Sequence, residues 1–191
     1  MSRKREREQW ARLLDELRER DIIVEDGLTE TETRDAEYRF GFHFPPDLRA
    51  LLQTGLPVGD RFWDWRDGDE EQLRFILNWP LEGMQFDIQN NVFWLDEWGA
   101  RPESVDEAEA FQLAAQTVAA APRLIPVFAH RYIPAEPARA GNPVFSVHQM
   151  DIIIYGNDLL SYFANEFAGV ATWYTPPLDA RSIRFWSDHS G

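Results

Sequence analysis

The first 55 residues hold two apolar stripes at helical spacing, with a helix-start signal between them. Trp10, Leu13, Leu14 and Leu17 recur at i, i+3, i+4 and i+7 with charged residues on the other faces, which predicts a helix over 3–20. Asp26-Gly27 marks a turn. Thr29, followed three positions later by Glu32, is a capping box and opens a short acidic helix ending near Phe40. Pro45-Pro46 starts the next helix, because proline in a first turn lacks only an N–H that would have had no partner. Leu48, Leu51 and Leu52 make its stripe, and Gly55 is its expected C-terminal stop. Three helices thus precede any clear strand.

The middle of the chain has mixed signals. Phe62-Trp63-Asp64-Trp65 reads as a strand with its rings inward. Leu73, Ile76 and Leu77 read as a helical turn or two ending before Pro80, and Phe86–Ile88 and Val92–Trp94 as short strands around Gln89-Asn90-Asn91. Ser104 with Glu107 is a second capping box and predicts an Ala-rich helix running to Pro122. Leu124–Phe128 follows as a buried strand, which Pro126 places at an edge or a bulge. His130-Arg131-Tyr132 leads into a loop rich in Pro, Ala and Gly. Val144–Val147 and Ile152–Tyr155 are expected to form a hairpin, and Gly156-Asn157-Asp158 caps a last helix with Leu159, Leu160, Phe163 and Phe167 inward. Helices come first and strands later, with no β-α-β rhythm. The expected fold is one α+β domain over 1–191, with a mostly antiparallel central sheet flanked by helices.

Composition narrows the function classes. A chain of 191 residues with eight Trp and thirteen Phe has ample material for one packed core. No apolar run approaches the roughly 18 residues of a membrane span, and the basic N-terminus leads into an amphipathic segment and not a secretory h-region. Cysteine is absent, which removes disulfides and thiolate chemistry and suits a reducing compartment. With no Asn-x-Ser/Thr site either, a cytoplasmic location is expected. Net charge is −14 and uneven: thirteen acidic against four basic residues over 61–110 leaves −9. Such a field repels nucleic acid and anionic membrane and speeds encounter with a basic partner.

Motifs for chemistry are missing. There is no Gly-x-Ser-x-Gly, P-loop, His-Glu-x-x-His or Gly-x-Gly-x-x-Gly. His43, His130, His148 and His189 are scattered, and a turn contact suits His148 with Asp151 better than metal ligation. The acidic run Asp64, Asp67, Asp69, Glu70 and Glu71 fails the EF-hand pattern, since a loop starting at Asp64 would have Arg66 as its third residue and glycine one place early. A solvated loop is its default, and a protein-binding edge the alternative. Paired carboxylates with tryptophans would suit a glycoside hydrolase or sugar binder, but no spacing selects a pair. No catalytic residue, metal or cofactor is assigned.

One stretch has a familiar order. Phe44-Pro45-Pro46-Asp47-Leu48-Arg49-Ala50-Leu51-Leu52, after an acidic helix and before Gly55-Leu56-Pro57, resembles the opening of the SMI1/KNR4 family, also called the SUKH superfamily. Leu124–Phe128, Gly141–Val147 and Asp151–Gly156 resemble its later strands, so the similarity spans about residues 30–168. The turn Thr54-Gly55-Leu56-Pro57 departs from the family's pattern, and the first helix and aromatic tail lie outside it. The resemblance implies an α+β binding module without shared catalytic residues. Bacterial members are viewed as immunity proteins against toxins, many of them nucleases, and fungal relatives are linked to cell-wall regulation. Combined with the charge, it makes Asp64, Trp65, Asp67, Asp69, Glu70, Asp96 and Glu97 the expected contact residues for a basic toxin domain. A regulatory interaction module without a toxin is the alternative.

Overall fold

The structure, a computed structural model, describes residues 3–59 and 61–191. Its elements are α1 (Arg3–Arg18), β1 (Ile23–Asp26), α2 (Glu30–Phe40), α3 (Pro46–Thr54), β2 (Gly55–Val58), α4 (Glu70–Asn90), α5 (Glu107–Ala120), β3 (Leu124–Phe128), β4 (Arg131–Pro134), β5 (Val144–His148), β6 (Asp151–Gly156) and α6 (Leu159–Glu166). A 3-10 turn, Asp96–Trp98, lies between α4 and α5. Among the described residues the fold is α+β: six α-helices, a two-stranded antiparallel sheet and a four-stranded antiparallel meander ordered β3-β4-β5-β6.

The opening helices form where their signals stand. Trp10, Leu13, Leu14 and Leu17 are buried. Thr29 Oγ1 accepts from the Glu32 N–H at 3.2 Å and Glu32 Oε2 accepts from the Thr29 N–H at 2.7 Å, so both halves of the capping box are present. Two details differ. Strand β1 intervenes between α1 and α2, pairing Ile23 with Val58 and Asp26 with Gly55; four half-polar residues gave no periodicity to find it by. Gly55 ends α3, yet its φ of −173° is extended and it is the first residue of β2. Its missing side chain matters for space: a Cβ there would lie 2.8 Å from Leu14 Cδ1 and 2.9 Å from Val24 Cγ1.

The four-stranded sheet separates two clusters of buried residues, as strand alternation requires. Ile125, Val127, Ile133 and Val144 pack with α1, α2, α3 and α6. Leu124, Tyr132, Phe145, Val147 and Ile152 pack with α4, α5 and the C-terminal residues Ile183, Phe185 and Trp186. Pro126 sits on the outer strand β3, where the register shifts before Phe128, as its missing N–H demands. Strand β4 replaces the start of the loop expected after His130. The aromatic tail is structural. Trp173 Nε1 donates to Glu16 of α1 at 2.6 Å, Trp186 Nε1 donates to the Pro122 carbonyl at 2.6 Å, and the Gly191 N–H donates to Ile152 at 3.0 Å.

The middle departs most from expectation. Phe62–Trp65 is not a strand; Phe62 makes isolated bridges with Gly59 and Phe128 only. The expected helical turn before Pro80 and the expected strand Phe86–Ile88 are one 21-residue helix, α4, that runs through Pro80. Proline deprives the carbonyl four residues earlier of its helical donor. That carbonyl belongs to Ile76, and it accepts instead from the buried Tyr132 hydroxyl at 2.9 Å. Further along, Gly83 lets the helix meet the β5–β6 turn, since a Cβ there would lie 2.7 Å from Gln149 Cα. Buried Asp87 then accepts from the Met150 N–H at 2.8 Å. Val92–Trp94 is irregular, and α5 is capped by Asp106, which accepts from the Glu109 N–H at 3.0 Å, not by Ser104.

Candidate partner-binding surface

The acidic run from Asp64 begins as a tight turn. Asp64 Oδ1 accepts from the backbone N–H groups of Arg66 and Asp67 at 2.9 and 3.1 Å, and the Gly68 N–H closes on the Asp64 carbonyl at 3.1 Å. Asp69 caps α4 by accepting from the Gln72 N–H at 2.8 Å. Glu70 pairs with Arg74 at 2.7 Å. Within this run Arg66 is the anchor: it reaches Glu32 at 2.8 Å, Glu25 at 3.1 Å and the Asp26 carbonyl at 2.8 Å. The segment is thereby fastened to β1 and α2. Hydrogen bonds from Thr29 and from Arg66 hold the Glu32 carboxyl down to about 2.

The expected contact residues fall into two groups and one correction. Asp64, Asp67, Asp69 and Glu70 come together in the turn and cap before α4, with Asp67, Asp69 and Glu70 exposed. Asp96 and Glu97 are exposed on the 3-10 turn, which is held to α5 by Trp98 Nε1 donating to Thr117 Oγ1 at 2.9 Å. Trp65 is no contact residue. It is 2% exposed, at the centre of a box with Phe40, Phe42 and Phe44 at 5.7, 5.5 and 5.3 Å, all edge-on. Three rings set edge-on around a fourth in a core leave nothing for a partner to touch.

Aromatic exposure occurs elsewhere. On α4, Phe75 is 54% and Phe86 46% exposed. They lie three turns apart on one stripe with half-buried Trp79, whose ring meets Phe75 edge-on at 5.5 Å. Glu71 and Glu82 are exposed on the same side of the helix. Sequence spacing contained this stripe, but ending the helix at Pro80 hid it. The surroundings are strongly negative. From Glu70 to Glu109 there are ten acidic and two basic residues, and among the described residues Glu70–Arg74 is the one ion pair they form.

Other polar clusters are internally satisfied. Buried Asp47 accepts from the Leu48 and Gly141 N–H groups at 3.0 and 2.8 Å, and burial raises its pKa. Asp158 caps α6 by accepting from the Ser161 N–H at 2.8 Å and also accepts from the Tyr174 hydroxyl. Each carboxylate oxygen therefore has its donor, which is a bracing arrangement and not a pair facing a cleft. Arg131 is paired with Glu166 at 3.1 Å, donates to Ser146 Oγ at 2.8 Å and contacts His130, whose pKa burial and then Arg131 push down. The His130 and His148 rings are 6.1 Å apart, and His148 lies opposite Asp151 in the β5–β6 ladder. Among the described residues no group of three or more His, Asp or Glu side chains is placed to hold a metal ion, and no helix is long and apolar enough to cross a membrane.

Comparison with models of known families, with curated proteins and with solved structures finds no match. The resemblance to the SMI1/KNR4 family accordingly rests on the sequence motifs alone.

Proposed function

We propose that this chain is a non-enzymatic binding module whose acidic face, built on α4 and the connection to α5, holds a basic protein domain. The observation that carries it is the pairing of exposed rings with unbalanced charge: Phe75 and Phe86 stand out of a helix whose segment bears ten acidic residues and two basic ones. Interfaces take their energy from a few aromatic anchors, and complementary charge steers the encounter. Asp67, Asp69, Glu70, Asp96 and Glu97 are assigned to the rim of that contact. The SMI1/KNR4-like motifs make the partner a toxin, with this chain as its neutralising immunity protein, and a nuclease suits the charge because a nuclease grips a polyanion. The buried, fully bonded Asp47 and Asp158 give a hydrolase reading no support.

Calorimetric titration with the toxin domain encoded beside this gene tests the proposal. Expected are binding that weakens as salt is raised, and losses of roughly tenfold or more for Phe75→Ala and Phe86→Ala. A neighbouring gene without a toxin domain, or a purified toxin domain that does not bind, overturns the immunity reading. Binding that survives both alanine variants overturns the choice of surface.

A further inference from the structure

A groove of about 740 Å³ runs between the N-terminal half of α4 and the C-terminal end of α5, a volume typical of ligand sites. Phe75, Leu81 and Val118 give it an apolar wall. Two arginines reach it. Arg74 is committed, at 2.7 Å from Glu70 and donating to the Arg39 carbonyl at 3.1 Å. Arg123, where α5 gives way to β3, forms no ion pair or side-chain hydrogen bond among the described residues. Partial desolvation and then the neighbouring Arg74 lower its pKa, although the residue as a whole is exposed. No carboxylate is paired with it among the described residues, so an incoming anion meets no competing partner there.

We propose that this groove binds the C-terminal end of a polypeptide, with its α-carboxylate on the Arg123 guanidinium and its last apolar side chain against Phe75, Leu81 and Val118. A guanidinium matches a carboxylate with two parallel hydrogen bonds. Glu71 and Glu82 also line the groove, so a second negative charge is unwelcome there. Both carboxylates accept hydrogen bonds, and so does Asn78, whose amide N–H is already given to Glu82 at 2.6 Å. A peptide brings backbone N–H donors to these acceptors, whereas a fatty acid brings none. The site shares Phe75 with the proposed partner surface, and its test uses small probes that do not depend on that partner.

The test is a titration of the 15N-labelled protein followed by amide shifts. The probe is N-acetyl-Gly-Leu as the free acid, with its carboxamide and decanoate as comparisons. The free acid is expected to give saturable shifts at Phe75, Val118 and Arg123, and the carboxamide to bind roughly tenfold more weakly for want of the charge-assisted bond. Arg123→Gln is expected to lose the same factor, with Arg123→Lys keeping part of it. No groove shifts up to the solubility limit of the free acid, equal binding of the carboxamide, or binding of decanoate alone would each overturn the proposal. The carboxamide comparison needs no variant, so it holds even where Arg123→Gln lowers the thermal midpoint.

Discussion

The two sides of the four-stranded sheet are finished differently. On the side of α1, α2, α3 and α6 the core is the larger one, its aromatic rings meet one another, and charged side chains are matched: Glu30 with Arg34 and Arg49, Glu25 and Glu32 with Arg66, Glu166 with Arg131. On the side of α4 and α5 the core is smaller, Phe75 and Phe86 face out, and the acidic residues other than Glu70, which pairs with Arg74, form no ion pair among the described residues. The difference separates what keeps the chain folded from what is available to another molecule. A surface whose charges are left unmatched gives up nothing in stability by meeting a partner, whereas a matched one must first break its own pairs.

The sharpest way to break that contrast is to truncate one ring on each side. Trp65→Ala should cost about 3–5 kcal/mol in chemical denaturation, because it empties the box of Phe40, Phe42 and Phe44. Phe86→Ala should stay within about 0.5 kcal/mol. Equal losses would mean that the outer stripe of α4 is core after all. Next in size is Tyr132→Phe, expected to cost about 1–3 kcal/mol by leaving the Ile76 carbonyl buried without a donor. An unchanged denaturation midpoint would remove the explanation given for a helix that passes through proline.

Acid titration sharpens the charge half of the comparison. Glu32 is held near 2 against an ordinary 4.5, so its contribution is present above about pH 4.5 and is lost as pH falls through 2. The stability difference between the protein and Glu32→Gln, from denaturant midpoints, should therefore be constant above pH 5 and shrink towards pH 2. Asp47 has the opposite sign. Its raised pKa makes the charged form a burden in the fold, which is relieved as pH falls through that raised value towards 3.8. Asp47→Asn should accordingly lose the most relative to the protein at low pH. The smallest expected effect is on the outer face, where Glu71→Gln with Glu82→Gln should leave the thermal midpoint nearly unchanged.

The helices of the first face were legible because their stripes, caps and N-terminal prolines are local signals. The hairpin β5–β6 and the cap of α6 were legible for the same reason. What sequence could not supply was long-range compensation. Pro80 reads as a stop unless one knows that Tyr132, 56 residues on, will take the orphaned carbonyl. With the helix cut there, Phe75, Trp79 and Phe86 could not be placed on one stripe, and Phe86 fell into a strand. Trp65 was misplaced by a related error, since its acidic neighbours point outward while the ring turns in to Phe40, Phe42 and Phe44. The acidity of 61–110 was plain in the sequence, and Arg66 as its fastening was not, because its acceptors lie about 40 residues earlier.

Helix α4 is pinned to the sheet at two heights, by the Tyr132 hydroxyl at Ile76 and by Asp87 at the Met150 amide, with Gly83 pressed against the hairpin between them. It can neither slide along its axis nor roll without stranding a buried polar group. Whatever docks on its outer side therefore meets rings already fixed in place, and little motional freedom is left to surrender at the moment of contact.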